Sequence, residues 1–408
     1  MKPLVEAQRE VLAAVGRLGT ETVDISDAFG RVTAEPCVSR VKVPPFANSA
    51  MDGFAVRAAD VARTPVALGV IEDVPAGSVP TLAVPPGSAT RIMTGAPMPE
   101  GADAVVKVED TRVDSDGAVT ILEGVTAGVN VRKAGGDVGI GDTLVDAGVR
   151  MTSRHVATLA SVGIMPLVSK IPVVAVLSTG DEVVEPSTSD LGPGKIRDTN
   201  RLILKSVLRE LGVEVLDLGI IGDDPAELSE VYQRAAASAD VIVSTGGVSM
   251  GDYDFVKQVL GDMGSVDFWS VAMQPAKPFA FGSIQGVPLF GLPGNPVSTF
   301  VAYEQFVRPA LLHMMGATRL FRPRIQAVIG EDVETTPEKD VFLRVMLAPD
   351  RSGTFVALQS GGQASNVLSA LAQADGFAFV PVGVGSLSAG DSVTLEMFTW
   401  NEDRMLDD

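Results

Sequence analysis

The stretch Ile171–Gly180, IPVVAVLSTG, is a short apolar run rich in β-branched residues that stops at Ser178-Thr179-Gly180. Its length, its branching and the glycine stop read together as a strand buried on both faces of a sheet. The same ending recurs in 240–246, DVIVSTG, and apolar runs of strand length stand at 213–219 (VEVLDLG), 266–272 (VDFWSVA) and 287–292 (VPLFGL). Helical patterns from about Thr199 to Leu211, Pro225 to Ser238 and Pro296 to Met315 alternate with them. That alternation predicts a mostly parallel α/β sheet, covered on both faces, over 171–320. The second helix has a readable start, with Asp224 as N-cap, Pro225 at the first helical position and Glu227 three residues after the cap.

On the N-terminal side, a helical pattern to about Leu18 and a short strand and turn fill 1–43. The segment 143–170 turns helical in its second half and is expected to pack with that first helix as one discontinuous domain. Between them, 44–142 consists of short β-type runs broken by Gly and Pro, which reads as a β-rich lobe. The chain returns to short strands over 321–408, where a small β-barrel or sandwich is expected. The expected class is a multidomain α/β plus β protein, in keeping with 408 residues, more than one core usually supports.

A net charge of −19 disfavours nucleic acid, whose affinity rests on Lys and Arg replacing counterions. An acidic chain still binds anions where carboxylates hold a divalent cation that reverses the local field. The single cysteine, Cys37, excludes an intrachain disulfide and a cysteine zinc cluster and reads as a small buried hydrophobe. Glu6, Arg9, Glu10 and Arg17 interrupt the N-terminal apolar pattern, so no signal peptide is expected. No stretch reaches membrane-spanning length without charge or breakers, and a soluble cytoplasmic protein follows as the expectation.

In an open α/β sheet, ligands sit beyond the carboxyl ends of the strands. There the sequence offers Ser178, Thr179, Gly180, Asp181 and Glu182 after one strand, and Gly246, Gly247, Ser249, Gly251 and Asp252 after another. Glycines admit a phosphate to backbone N–H groups, and carboxylates such as Glu182 and Asp252 suit Mg²⁺. A third loop, Pro293, Gly294, Asn295 and Pro296, opens a helix on the same rim, and Lys277 between prolines would aim an ammonium at an oxyanion. In the lobe, Asn48, Ser49 and Asp52 lie in one glycine-closed turn and Thr94 in another, a pattern that turn chemistry alone also explains. His155 and His313 fall in helical stretches without metal-ligand spacing and read as structural. No Walker A motif or zinc-protease motif is present.

Taken together, PPFANSAMDGFAV, RIMTGAPMPEGADAVV, LSTGDEVVEP, IRDTN, STGGVSMGDYD, PAKPFAFG and FGLPGNPVS follow one another in an order that resembles the molybdopterin molybdenumtransferase family, MoeA and the gephyrin E domain. The resemblance covers essentially the whole chain. It implies a four-part, elongated subunit that forms a homodimer, with the central domain of the molybdopterin-binding type. It further implies cleavage of the pyrophosphate link in adenylylated molybdopterin, placement of molybdate on the dithiolene sulfurs and release of AMP, helped by Mg²⁺. The earlier adenylyltransferase and recipient molybdoenzymes would be its partners. By the same resemblance Asp52, Thr94, Asp137, Glu182 and Lys277 match positions needed for activity, while Arg344 and Ser365 match less specific ones. In IIGDDPAEL, the capping role of Asp224 favours Asp223 for ligand work without deciding between them.

One departure stands out. Where many members read Lys-Pro-Gly-Lys-Pro, this chain reads Gln274-Pro275-Ala276-Lys277-Pro278, so an amide replaces one ammonium. The expectation is that Lys277 alone carries the charge, assisted by Arg344 of a dimer mate. Two alternatives remain: a molybdopterin adenylyltransferase, which the central domain alone resembles, and a gephyrin-like scaffold. Tungstate in place of molybdate is a further possibility, since the two oxyanions match in size and charge.

Overall fold

The computed structural model describes residues 1–115, 117–247, 259, 261, 263–349 and 353–398. The central domain holds six strands: β1 (Val173–Thr179), β2 (Glu214–Ile221), β3 (Val241–Thr245), β4 (Gly264–Ser270), β5 (Pro278–Ile284) and β6 (Val287–Leu292). They lie in the order β2-β1-β3-β6-β5-β4. The first four are mutually parallel, and β5 runs antiparallel to both β6 and β4. Alternation along β1 sends Val174 and Val176 to one face and Ala175 and Leu177 to the other, and each face buries a separate core. Helix α1 (Asn200–Leu211) covers the first face and α2 (Pro225–Ser238) the second.

Strand β5 had no place among the expected strands, its stretch being read only as the rigid setting of Lys277 between prolines. Pro278 stands at the strand's first residue, where a missing N–H is tolerated, and Gly282 is required by close approach. A Cβ at Gly282 would lie 2.0 Å from the Ser265 carbonyl oxygen of β4.

The third helix is not uniform. It runs as α-helix over Pro296–Ala302, as a π turn over Tyr303–Val307 and as α-helix again over Arg308–Met314. Pro309 supplies no N–H to the carbonyl four residues back, and the wider π turn accommodates the gap. The π turn buries every one of its side chains, including Glu304 and Gln305. Glu304 takes a bidentate pair from Arg322 at 2.9 and 2.8 Å, and Gln305 donates to Glu396 at 2.8 Å and accepts from Gln8 at 3.0 Å. Tyr303 donates to the Val207 carbonyl at 3.0 Å, and burial pushes its phenol far above the usual value.

The N-terminal segments pair across the lobe, with 20–22 antiparallel to 167–169 and 37–38 antiparallel to 143–145. The expected pairing of the two helices is corrected here. Leu4, Ala7 and Val11 of the first helix pack into the central-domain core, whereas Leu159 of the helix Ser153–Val162 packs with Ala28, Cys37, Met151 and Val168. Cys37 is buried, which pushes its thiol up. His155 caps its helix by accepting the Thr152 N–H at 3.1 Å. The lobe carries one mixed sheet in the order 104–107, 53–56, 88–92, 66–74, 118–121, 111–113. At the other end, 340–349, 355–359, 324–329, 392–397 and 376–380 pair in turn and close on 340–349, forming a five-stranded barrel rather than a sandwich.

The barrel and the central helix share Phe300, Phe377 and Phe398, with ring centroids 5.1 Å apart for Phe300 and Phe398. Removing one partner of a buried ion pair leaves the other charge stranded, so Glu304→Ala should lower unfolding free energy by about 3 kcal/mol or more in a urea titration. Asp73→Ala, which breaks an exposed pair with Arg91 3.8 Å away, should change it by less than about 0.5 kcal/mol.

Candidate functional site

The loops after β1, β3 and β6 meet on one rim, and buried polar groups lock them together. Asn200, at the start of α1, donates to the Thr245 hydroxyl at 2.9 Å and to the Gly294 carbonyl at 2.7 Å. The Pro293 carbonyl accepts from Thr245 at 3.2 Å and from Thr299 at 2.6 Å. Gly246 has φ +93°, and a Cβ there would lie 2.4 Å from the Thr179 carbonyl oxygen. Gly247 is also left-handed, with φ +61°. The Ser-Thr-Gly endings therefore act as a pair, since one glycine seats its loop directly on the other loop's threonine.

Ser178 and Thr179 are buried, so their hydroxyls serve the frame: Ser178 donates to Asp198 at 3.0 Å, and Thr179 to the Thr245 carbonyl at 3.4 Å. Asp198 continues into Arg201, which also holds Asp217 at 2.7 Å and Glu185 at 2.6 Å. Burial pushes the Asp217 carboxyl up, but hydrogen bonds from Lys205 and Arg201 outweigh it and leave the group below the usual carboxylate value. At the exposed edge, Asp181 and Asp223 reciprocate. Asp181 Oδ1 accepts the Asp223 N–H at 3.0 Å, and Asp223 Oδ2 faces the Asp181 N–H at 3.4 Å. Asp224 accepts from Ala226 and Glu227 N–H groups, both at 2.9 Å, and is the helix cap. Glu182 is exposed beside Gly180, whose missing Cβ would lie 2.6 Å from its carboxylate.

A second concavity lies where the rim meets the barrel. This cavity of about 290 Å³ is lined by Gln274, Lys277, Asn295, Ser298, Lys339 and Ser365, among others. The Val297 N–H donates to the Ser365 carbonyl at 3.2 Å, so Ser365 meets the rim of its own chain. Ala276 precedes Lys277 with φ +73° and is buried, which fixes the loop that presents the ammonium.

Arg344 requires a correction. It is fully buried within its own chain, with Nη2 donating to the carbonyls of Gly362 at 2.8 Å and Ala364 at 3.2 Å. Gln363 adds a reciprocal pair with the Arg344 backbone at 2.9 and 3.1 Å. A group enclosed in this way cannot reach a second subunit, and burial pulls the guanidinium below its ordinary value. Its Nη2 bonds tie down the loop that carries Ser365, and its Nε and Nη1 are buried without a hydrogen-bond partner among the described residues.

In the lobe, Asp52 Oδ1 accepts from both the N–H and the hydroxyl of Thr94, each at 2.7 Å, which holds its carboxyl below the usual range. Asp137 is exposed on the segment that pairs back onto Val43. Among the described residues, no hydrogen bond or ion pair joins Asp52, Thr94 or Asp137 to the rim. Ser249, Gly251 and Asp252 lie outside the described residues. The residues that sequence reasoning passed over are Asn200, Asp198, Arg201, Ser298, Gln363 and Lys339. The first three sit in or beside the quoted IRDTN, where a buried polar run was a usable signal, whereas Lys339 in a polar turn gave none.

The rim, the α/β sheet and the attached barrel define a molybdopterin-binding type of protein. Three family models match in succession: "MoeA N-terminal region (domain I and II)" over 2–163, "Probable molybdopterin binding domain" over 175–313 and "MoeA C-terminal region (domain IV)" over 326–398. The chain is 38% identical to a molybdopterin molybdenumtransferase of Haemophilus influenzae, covering 93% of this chain and 94% of the relative. It is 37% identical to molybdopterin molybdenumtransferase 2 of Mycobacterium tuberculosis, covering 96% and 98%. A crystal structure of the molybdopterin biosynthesis MoeA protein from Pyrococcus horikoshii superposes with TM-score 0.83 at 28% identity, covering 98% of this chain and 100% of that one. The chain belongs to the molybdopterin molybdenumtransferase family.

The seat of Gly246 on Thr179 yields a comparison of two glycines. Gly87→Ala, at φ +78° with nothing within 4 Å of a new Cβ, should cost about 1 kcal/mol, the left-handed penalty alone. Gly246→Ala must also move backbone, and should lower stability by at least about twice as much in the same denaturation measurement.

Proposed function

We propose that this chain is a molybdopterin molybdenumtransferase, taking adenylylated molybdopterin and molybdate and releasing AMP. The observation that carries the reading is the cavity at the seam of rim and barrel, where the Lys277 ammonium and the Ser298 and Ser365 side of the wall meet beside the glycine-lined loops. A tetrahedral dianion calls for a cation and hydroxyl or N–H donors in a rigid wall. The left-handed glycines Gly180, Gly246 and Gly247 would let the phosphates of the nucleotide link approach the loop backbone closely, so that the two reactants lie on one rim. Lys277 would hold the oxyanion, the fixed loops would orient the link, and Asp181, Glu182 and Asp223 would face its phosphates.

Mg²⁺ fits this donor set. No group of three or more ligating side chains gathers among the described residues, but Mg²⁺ commonly takes one or two carboxylates and completes its shell with water and phosphate oxygens. Glu182, together with Asp181, would hold it, and when bound it supplies neutralisation of the phosphate charge as the link breaks. The reading includes a homodimer, because Asp52, Thr94 and Asp137 make no hydrogen bond or ion pair to the rim among the described residues and would serve the mate's. It also includes action in the cytoplasm alongside the adenylyltransferase and recipient molybdoenzymes.

The test is a reconstituted reaction of the full chain with adenylylated molybdopterin, Mg²⁺ and molybdate, following AMP and finished cofactor together. Both should appear, and Lys277→Ala should slow both by at least about tenfold while staying folded, the loss expected for one charge-assisted contact. Formation of adenylylated molybdopterin from ATP and molybdopterin, with no AMP release, would overturn the reading in favour of the earlier step.

A further inference from the structure

We infer that Lys339, on the turn leading into the barrel, is the second cation of the oxyanion site and binds the anion jointly with Lys277. The inference rests on the reading of the seam cavity as that site. The two residues come from different domains and line the same cavity of about 290 Å³. Their approach is fixed by backbone. Met273–Gln274 pairs in parallel with the first residues of the barrel strand, Met273 opposite Asp340 and Gln274 opposite Val341. That register holds the turn before Asp340 against the loop that presents Lys277. The turn is closed by the Lys339 N–H donating to the Thr336 carbonyl at 3.2 Å, and the Thr336 hydroxyl donates to Gln274 Oε1 at 3.0 Å.

The electrostatics agree. The chain carries 51 acidic residues against 32 basic ones, yet the cavity lining includes two lysines and no Asp or Glu. Among the described residues neither lysine has an ion pair, although 13 salt bridges form elsewhere. Lys339 is half-buried, so its field is less screened than that of an exposed lysine. Lys277 and Lys339 line the one cavity from two domains, and their two positive charges match the charge of a tetrahedral dianion. Gln274 lines the same cavity and carries no charge. The second ammonium is therefore supplied from the barrel wall, and the bound anion bridges the two domains.

The experiment is calorimetric titration of the full-length protein with sodium molybdate, repeated with sulfate and at three salt concentrations. Lys339→Ala should weaken molybdate binding about tenfold and lower the salt dependence, with Lys277→Ala having at least as large an effect. Lys339→Gln keeps the side-chain length and should show the same loss if alanine disturbs the turn. Adding Gln274→Lys to Lys339→Ala should restore most of the affinity, because it returns an ammonium to the same cavity by another route; a purely structural role for Lys339 predicts no such rescue. Unchanged affinity in both Lys339 variants, with Lys277→Ala still impaired, overturns the inference and leaves the functional reading standing. Unchanged affinity in all lysine variants, or no binding by the wild-type protein, overturns the reading of the cavity itself.

Discussion

The buried amide of Asn200 stands where α1, the end of β3 and the loop after β6 converge, and the rest of the rim depends on it. Its two donors meet the Thr245 hydroxyl and the Gly294 carbonyl. Without it, both acceptors would be left buried and the loops would lose their common anchor. With it, Thr245 and Thr299 share the Pro293 carbonyl, Gly246 can rest on Thr179, and Val297 is brought to the barrel at Ser365. The hydroxyls and glycines of the two Ser-Thr-Gly endings thus divide the labour. The side chains bind the protein to itself, and the glycines allow the loops to close on one another.

The seam to the barrel is built by the same logic at larger scale. Phe300, Phe342, Phe377 and Phe398 supply apolar contact, while the π turn buries Glu304 and Gln305 so that each finds a partner across the boundary in Arg322 and Glu396. Buried charges are costly unless paired with good geometry, so these contacts specify one arrangement of the two domains. The cavity carrying Lys277 and Lys339 is lined from both sides of that seam. A strongly acidic protein thereby acquires a local cationic site through placement, against the sign of its net charge.

The centre of the sheet was legible because burial on both faces leaves apolar runs in Val173–Leu177 and Val241–Val243, and the Ser-Thr-Gly stops marked the rim. Strand β5 escaped because Pro278 and Gly282 are turn residues by composition, and only the close approach to Ser265 explains the glycine. The cap at Asp224 was readable from local spacing, but the tie between Asp181 and Asp223 joins residues 42 positions apart and has no local signature. Arg344 was misplaced for an instructive reason. In VFLRV its neighbours Val341, Leu343 and Val345 fill the barrel while Phe342 and Arg344 face the seam, so an arginine flanked by apolar residues signalled burial rather than reach. Lys339 lay in a polar turn like many others, and only the register of Met273 against Asp340 gives it meaning.

The most direct test of this account is an anomalous diffraction measurement on crystals of the full chain soaked in tungstate, an oxyanion of the same size and charge as molybdate. The account predicts a single strong peak in the seam cavity, between Lys277 and Lys339 and beside Ser365. A peak confined to another surface, with the seam cavity empty at saturating anion, would contradict it.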